Sequence, residues 1–149
     1  MNTDKEIKTL AKTIAPHYAY GTFYSLNTVT DKMRSRGQMP ACLHLQSSAG
    51  SVSTVASAYF TSERRTTRVQ VGFADSVRFD QDPEKTLEVV ERLLSMCGEL
   101  IQKMNDSGKW ENIDNFDYEV LYNTQDANLV LVLASFSVTE VDGRPICPC

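Results

Sequence analysis

One long amphipathic segment, residues 83–105, constrains this chain more than any other feature of its sequence. Asp82 is predicted to be the N-cap and Pro83 the first helical residue. The backbone N–H at that position makes no hydrogen bond within a helix, so proline, which lacks an N–H, is well tolerated there. The polar run at 105–108 is predicted to end the helix. Its apolar residues recur every three or four positions, as on one helix face: Leu87, Val90, Leu94, Cys97, Ile101 and Met104. This broad stripe predicts a helix that lies across a β-sheet.

The strands of that sheet are predicted from alternation and from apolar runs. Residues 69–73 place an apolar side chain at every second position, so we expect one buried face and one face in water. Residues 128–138 are apolar on both faces at their start, which favours a central position. The Ser- and Gly-rich residues 46–53 are predicted as a turn or exposed loop, and residues 62–68 as a charged hairpin end. The other predicted strands are 41–45, 54–61 and 116–122.

A short helix and an aromatic segment are predicted before the first strand. Thr3 and Glu6 have the spacing of a capping box, and apolar residues at positions 7, 10, 11 and 14 form one helix face before Pro16. Residues 17–27 are rich in aromatic side chains and show little periodicity, so we expect an ordered loop packed by its rings. Stacking on single-stranded nucleic acid would need accompanying basic residues, which this segment lacks.

These elements predict an α+β fold: an antiparallel sheet of four to five strands with a long helix packed on one face and a short N-terminal helix. The 149 residues fit a single α+β domain, which we expect to span 1–149 with flexible N- and C-terminal arms. No apolar run approaches the roughly 18 residues that span a bilayer, and the first residues lack the basic-then-apolar layout of a signal peptide. We therefore expect a protein made in a cytoplasm, with no membrane partner.

The residues that carry chemistry form no recognisable catalytic motif. Nucleophilic catalysis usually needs a histidine beside a Ser, Cys or Thr, and the chain contains only His17 and His44. His44 is expected to be a lone histidine in a strand. The 7 glycines are scattered singly, with no phosphate-cradling loop among them. We predict no catalytic residue and no cofactor.

Composition favours neither a metal site nor nucleic-acid binding. The 4 cysteines lack the paired spacing of a zinc site, and the Cys147-Pro148-Cys149 end supplies only two ligands, so we predict no metal. Asp82 and Glu84 suit a helix cap and first turn better than metal-assisted hydrolysis. The formal net charge of −4 argues against a protein that envelops DNA by neutralising phosphates, although it permits a surface that DNA slides past.

Several short motifs, taken in order, resemble those of one family. They are Tyr20-Gly21 followed by Tyr24 and Leu26-Asn27, then residues 39–45 and 69–75, the long helix and the late apolar strand. In order and spacing, the chain from Tyr18 to Val138 resembles the small tail and head–tail joining proteins of tailed phages. The likeness is to tail-terminator-like or connector ring proteins of phages and prophages of gut Bacteroidetes, including the crAss-like phages.

The resemblance implies a structural virion protein that is assembled in the bacterial host cytoplasm and forms a ring, commonly a hexamer or dodecamer. Its implied partners are other copies of the chain, phage portal, connector or tail proteins, and DNA that passes through the lumen without specific binding. We predict that Arg64, Arg65 and Arg68 form ion pairs between subunits, because a guanidinium can grip a carboxylate on two sides. Tyr20 and Tyr24 are predicted to lie at the same interface.

Two interpretations of other classes fit the same residues. The first is a non-viral soluble adaptor or binding module, which oligomeric state separates from a ring protein. The second is a small hydrolase that uses Cys42, His44 or the acidic residues around 75–84. Thiol reactivity and bound metal test that enzyme hypothesis.

Overall fold

Seven strands and two helices with defined bounds form the described part of the chain. A computed structural model describes residues 2–22, 26, 30, 32–34, 36–56, 61–77, 83–123, 129–141 and 144–146. The helices are α1 (Thr3–Ala11) and α2 (Pro83–Ser107), and Leu26, Thr30 and residues 32–34 are also helical. The strands are β1 (His17–Gly21), β2 (Ala41–Leu45), β3 (Gly50–Ala56), β4 (Thr61–Ser76), β5 (Asp117–Asn123), β6 (Leu129–Thr139) and β7 (Arg144–Ile146).

The strands form one mixed sheet in the order β1-β2-β4-β6-β5, with β3 and β7 paired to the first half of β4. β1 and β2 are parallel, and every other described pair is antiparallel. The predicted α+β class is confirmed, and so is a position for β6 between two neighbours. The predicted antiparallel sheet of four to five strands is wrong in strand count and in the direction of β1. The two additional strands are β1, which was predicted as an aromatic loop, and β7, which lies in a C-terminal stretch where no strand was predicted.

The N-cap of α1 is Asn2 rather than the predicted Thr3. Asn2 is extended (φ −99°, ψ 106°), and its Oδ1 accepts a hydrogen bond from the Lys5 N–H at 3.2 Å, which is N-cap geometry. Thr3 lies one position inside the helix and is buried. Its Oγ1 accepts a hydrogen bond from Trp110 Nε1 at 3.4 Å. The capping box predicted at Thr3 is therefore wrong.

α2 begins at Pro83, as predicted, and ends at Ser107. Gly108 follows in the left-handed conformation (φ 71°), which ends the helix and which glycine adopts without steric cost. Asp82, the predicted N-cap, lies outside the described residues. Leu87 was predicted in the buried stripe but is 57% exposed. The buried stripe consists of Val90, Leu93, Cys97, Leu100, Ile101 and Met104.

The main core lies between the two helices and one face of the sheet, called here the helix-bearing face. β4 contributes Val69, Val71 and Phe73 to this core, which confirms the predicted alternation. β6 contributes alternating residues between Val130 and Val138. The helices therefore cover one face of both central strands, where the core residues of β4 lie directly opposite those of β6.

A second, smaller core covers part of the opposite face, where the sequence predicted water. Gly72 is buried there because β6 passes so close that a Cβ atom would lie 2.6 Å from the Val132 carbonyl oxygen. Arg68, in contrast, is exposed on that face. The sheet is thus covered on both faces near the end of β4 and open towards its start. The second core contains Ala19, Leu26, Met33, Ala41, Leu43, Ala74 and Leu129.

Three segments that were predicted as non-strand structure lie in strands. Residues 17–21 form β1 and pair in parallel with β2, from His17↔Ala41 to Gly21↔Leu45. Residues 62–68 lie inside β4, and β3 begins within the predicted loop 46–53. Main-chain pairing stabilises residues 50–53 and 62–68 although they are polar, and an alternation of apolar and polar residues does not detect such strands.

Candidate functional site

The first half of β4 belongs to a β arm, defined here as β3, residues 61–68 of β4 and β7. β3 pairs with β4 from Gly50↔Thr67 to Ala56↔Thr61, and β7 pairs with the start of β4. None of residues 50–54 or 63–68 is buried, and Val52 is 59% exposed. Main-chain pairing therefore holds the β arm together, without a buried side chain at these positions.

Two of the three arginines predicted to bind a neighbouring subunit are engaged within the chain. Arg64 Nη1 donates to Glu111 Oε1 at 2.7 Å, and Arg65 Nε donates to Glu63 Oε1 at 2.7 Å. All three arginines lie on β4 rather than in a hairpin loop. Exposed ion pairs contribute only about 0–1 kcal/mol, so a carboxylate from another molecule can replace Glu111, whose side chain is 49% exposed. The Glu63 side chain is only 18% exposed and is less accessible to such an exchange. The predicted intersubunit role of Arg64 and Arg65 stays a prediction.

Arg68 lies in a polar groove at the base of the β arm. Its backbone N–H donates to the Ala49 carbonyl at 3.0 Å, whereas its exposed side chain forms no ion pair with a described acidic residue. The groove has a volume of about 350 Å³, and Asp114 and Asp117 also line it. Of the three predicted arginines, Arg68 is the one whose guanidinium lacks a described partner.

The carboxylate of Asp4 connects α1 to the sheet through three hydrogen bonds. Asp4 Oδ2 accepts a hydrogen bond from the Tyr20 hydroxyl at 2.5 Å, and Asp4 Oδ1 accepts one from Ser47 Oγ at 2.7 Å. The Ser47 N–H also donates to Oδ2, at 3.4 Å. These three residues, called here the Asp4 clamp, come from α1, β1 and the loop after β2. The Tyr20 ring is 45% exposed, as an interface residue would be, while Tyr24 lies outside the described residues.

His44 lies beneath the Asp4 clamp and is fully buried. The Tyr18 hydroxyl is 2.6 Å from His44 Nδ1, and Asp4 Oδ1 is 3.5 Å from Nε2. The rings of Tyr18 and Tyr20 approach the imidazole edge-on, with centroids at 6.0 and 5.1 Å. His44 does lie in a strand, as predicted, but the expectation that it is isolated is wrong.

Burial and hydrogen bonding set the charges of this network. Burial lowers the pKa of His44 below its ordinary 6.5, although the nearby Asp4 opposes the shift. Burial alone would raise the pKa of Asp4, but the hydrogen bonds from Tyr20 and Ser47 outweigh it and bring the pKa below 3.8. Burial and the bond to Asp4 raise the pKa of Tyr20 to about 12. Near neutral pH the imidazole is neutral and the carboxylate is charged.

The network is not arranged for nucleophilic catalysis. In a Ser-His-Asp triad the imidazole lies between the hydroxyl and the carboxylate. Here the carboxylate of Asp4 lies between Ser47 and His44, and the Nδ1 atom of His44 bonds to Tyr18. The base nearest the Ser47 hydroxyl is thus a carboxylate of lowered pKa, which is a weak base. The geometry instead positions α1 on the sheet.

The described thiols are also poor nucleophiles. Cys42 and Cys97 are buried, and burial raises the pKa of both, to about 12 for Cys97. This weighs against the hydrolase hypothesis that uses Cys42. Cys147 and Cys149 lie outside the described residues. Within the described ranges, no group of three His, Cys, Asp or Glu residues is placed to hold a metal ion.

Sequence reasoning missed the Asp4 clamp as a unit. One signal was present, because Tyr18 and Tyr20 alternate in one strand and thus share a face, which is also the face of His44. Asp4 carried no comparable signal, since its partners Tyr20 and Ser47 are 16 and 43 residues away. Only the pairing of β1 with β2 brings them together.

Comparison with known proteins assigns no family: no protein-family model matches the chain, and no curated protein matches it. The resemblance to phage ring proteins therefore stays a prediction. Among the helices of the described part, none is long and apolar enough to cross a membrane.

Proposed function

We propose that the protein is a structural subunit of a ring in the tail or the head–tail connector of a tailed phage, with a role like that of a tail terminator. The β arm is the observation that supports this proposal most directly. A ribbon of two or three strands is marginally stable in water unless something packs against it. Residues 50–54 and 63–68 of the arm include no buried side chain. A neighbouring copy that packs against the arm supplies the missing cover.

The side chains of the β arm suit contacts that form during assembly. Arg64 holds an exposed carboxylate, that of Glu111, which a neighbouring subunit can replace, and Arg68 has no described acidic partner. The groove beside Arg68 is polar and open at the surface. Interfaces commonly have arginine-rich contacts of this kind around an apolar centre. Portal, connector or tail proteins are the expected partners on the two faces of the ring.

The charge of the chain fits a lumen that DNA passes through without specific binding. The formal net charge is −4 at pH 7, and a ring multiplies it by the number of subunits. Repulsion between this charge and phosphate keeps DNA from adhering. We therefore expect the assembled protein not to retain duplex DNA in a filter-binding assay at about 0.15 M salt. Retention that weakens as salt rises would contradict this part of the proposal.

The oligomeric mass of the purified protein tests the proposal. Light scattering over a range of concentrations, with electron microscopy of negatively stained particles, should show closed rings of about six or twelve copies. A monomer at every concentration would overturn the proposal and leave the adaptor hypothesis in its place.

A matched pair of substitutions tests whether the β arm is the contact. Val52 on the arm and Leu87 on α2 are apolar residues of nearly equal exposure, 59% and 57%. Val52→Lys should lower the ring fraction, because it places a charge in the contact, whereas Leu87→Lys should leave it unchanged. Circular dichroism should show both variants folded. Equal ring fractions in the two variants would show that the β arm does not lie in the interface.

A further inference from the structure

A polar groove lies on the helix-bearing face, where the N-terminal end of α1 meets β4 and the end of β6. Its lining includes Asp4, Ser47, Arg65, Thr67 and Glu140. The volume of the groove is about 280 Å³. Pockets for drug-sized ligands typically measure about 300–1,000 Å³, so the occupant of this groove is a small group or a single side chain.

Glu140 is 5% exposed and projects into this groove. Phe136 and Val138 of β6 project from the helix-bearing face, and by alternation so does Glu140, two positions further on. Main-chain contacts on both sides hold Glu140 in place. Its N–H donates to the Arg65 carbonyl at 3.1 Å, and it forms a β-bridge with Trp110. The carboxylate is therefore fixed in position beside the N-terminal end of α1.

The side chain of Glu140 has no described hydrogen-bond or ion-pair partner. Arg65 lies directly opposite it on β4, since Thr66 pairs with Thr139. The Arg65 Nε atom, however, donates to Glu63 at 2.7 Å instead. A buried carboxylate without a partner lowers the stability of a fold. In a groove, such a residue indicates a ligand that supplies the missing positive charge.

The other groups of the groove also favour a cation. Asp4 supplies a second carboxylate, charged near neutral pH, and the Thr67 hydroxyl supplies a further acceptor. Arg65 is the one cation among the described lining residues, and Glu63 already pairs with it. An ammonium group has three N–H donors and a guanidinium has five, and neither accepts a hydrogen bond. The acceptor oxygens of the groove therefore match such a group.

We propose that this groove binds an organic cation, a primary ammonium or guanidinium group on an alkyl chain, and that Glu140 holds it. The inference is independent of the ring function. Two sources share this chemistry: a free alkylamine, and a lysine or arginine side chain of a second copy of the chain. A calcium ion takes six to eight oxygen ligands, so the two carboxylates of this groove suit it less well.

Butylammonium and butylguanidinium, which copy the ends of lysine and arginine side chains, are the probes for this site. Ligand-observed NMR titration at constant ionic strength should show saturable binding to the wild-type protein. Glu140→Gln should weaken this binding about tenfold or more, because a charge-assisted contact is lost. Glu88→Gln removes the same charge at an exposed position of α2 and should leave binding unchanged, and neutral butanol should not bind. Equal binding to the wild type and Glu140→Gln, or no saturable binding at any protein concentration, would overturn the proposal.

The oligomeric mass distinguishes the two sources of the cation. If a side chain of a second copy occupies the groove, saturating butylammonium should lower the ring fraction in light scattering, and Glu140→Gln should lower it too. If the occupant is a free amine, the ring fraction should stay the same in both experiments while the assembled protein binds the probe. Probe binding to a protein that is always monomeric also indicates a free amine. Each of these results supports the site.

The stability of Glu140→Gln separates a binding role from a structural one. Without a ligand, this variant should unfold at the same urea concentration as the wild type or at a higher one, because an amide costs less to bury than an unpaired carboxylate. A lower midpoint would show that Glu140 stabilises the fold through an internal partner and would overturn the proposal. Saturable binding of Ca²⁺ alone that Glu140→Gln abolishes would overturn the organic cation as the ligand.

Discussion

The hydroxyl of Tyr18 lies 2.6 Å from Nδ1 of His44, and the carboxylate of Asp4 lies on the other side of the same imidazole. A carboxylate beside Nε2 favours a proton on that nitrogen, so Nδ1 accepts the hydrogen bond from the Tyr18 phenol, which burial keeps protonated by raising its pKa. The proton of the neutral imidazole is then on Nε2, which faces Asp4 Oδ1 at 3.5 Å. His44 is therefore oriented by partners from two different elements, β1 and α1.

The first prediction is that acid destabilises the fold in two steps. The pKa of His44 is below 6.5 in the folded chain, so the unfolded chain binds more protons as the pH falls through 6.5. The free energy of unfolding should therefore decrease below that pH, until the folded histidine also titrates. A second decrease should begin near pH 3.8 and continue to the lowered pKa of Asp4. Urea unfolding at a series of pH values measures both steps.

A substitution at His44 isolates the first step. His44→Asn keeps an acceptor near the Tyr18 hydroxyl but does not titrate, so the decrease below pH 6.5 should become smaller while the decrease near pH 3.8 remains. An unchanged upper step in this variant would show that His44 does not cause it.

The second prediction concerns the Asp4 clamp. Asp4→Ala leaves the Tyr20 and Ser47 hydroxyls without their acceptor, so it should lower the free energy of unfolding by about 1–3 kcal/mol. Glu6 lies two residues further along α1 and forms an exposed ion pair with Lys109. Glu6→Ala should therefore lower it by only about 0–1 kcal/mol. Urea unfolding at pH 7 measures the free energy of unfolding of the two variants. Equal decreases would show that the Asp4 clamp stabilises the fold no more than an exposed ion pair does.

The third prediction uses two glycines in opposite settings. A Cβ atom on Gly72 would lie 2.6 Å from the Val132 oxygen and 3.0 Å from the Leu133 Cα, so Gly72→Ala should destabilise the fold by about 1–3 kcal/mol or more. A Cβ atom on Gly98, in α2, meets nothing within 4 Å. Gly98→Ala should thus stabilise the fold by about 0.5–1 kcal/mol, because alanine favours a helix. Thermal unfolding should show shifts of opposite sign, and two shifts of the same sign would contradict the packing of β4 on β6.

The fourth prediction is that Cys42 and Cys97 resist alkylation in the folded protein. Both thiols are buried with raised pKa values, so thiolate is scarce and reagent has no access. Peptide mapping after iodoacetamide treatment should find both unmodified without denaturant and modified in urea. Rapid labelling of Cys42 in the native protein would revive the hydrolase hypothesis.

Local sequence patterns predict the helices and the apolar strands of this fold. Pro83 and Gly108 mark the start and end of α2, and the alternation of residues 69–73 identifies the face that packs against it. β1 and the β arm escape prediction because main-chain pairing with distant segments stabilises them. The candidate site is not predicted either, because Tyr20 and Ser47 are 16 and 43 residues from Asp4 and reach it only in the folded chain. The interface residues predicted from arginine and tyrosine content do lie at the surface, except that Tyr24 is outside the described residues.

β4 pairs with four strands, of which β2 and β3 precede it in the chain while β6 and β7 follow it. Its longest partner, β6, binds the whole edge from Thr66 to Ser76. While a ribosome is making residues 77–139, that edge has no partner and can pair with another nascent chain. At about 5–20 residues per second this interval lasts roughly 3–13 seconds. Aggregation during synthesis is therefore the hazard that this topology creates, and it ends when β6 is complete.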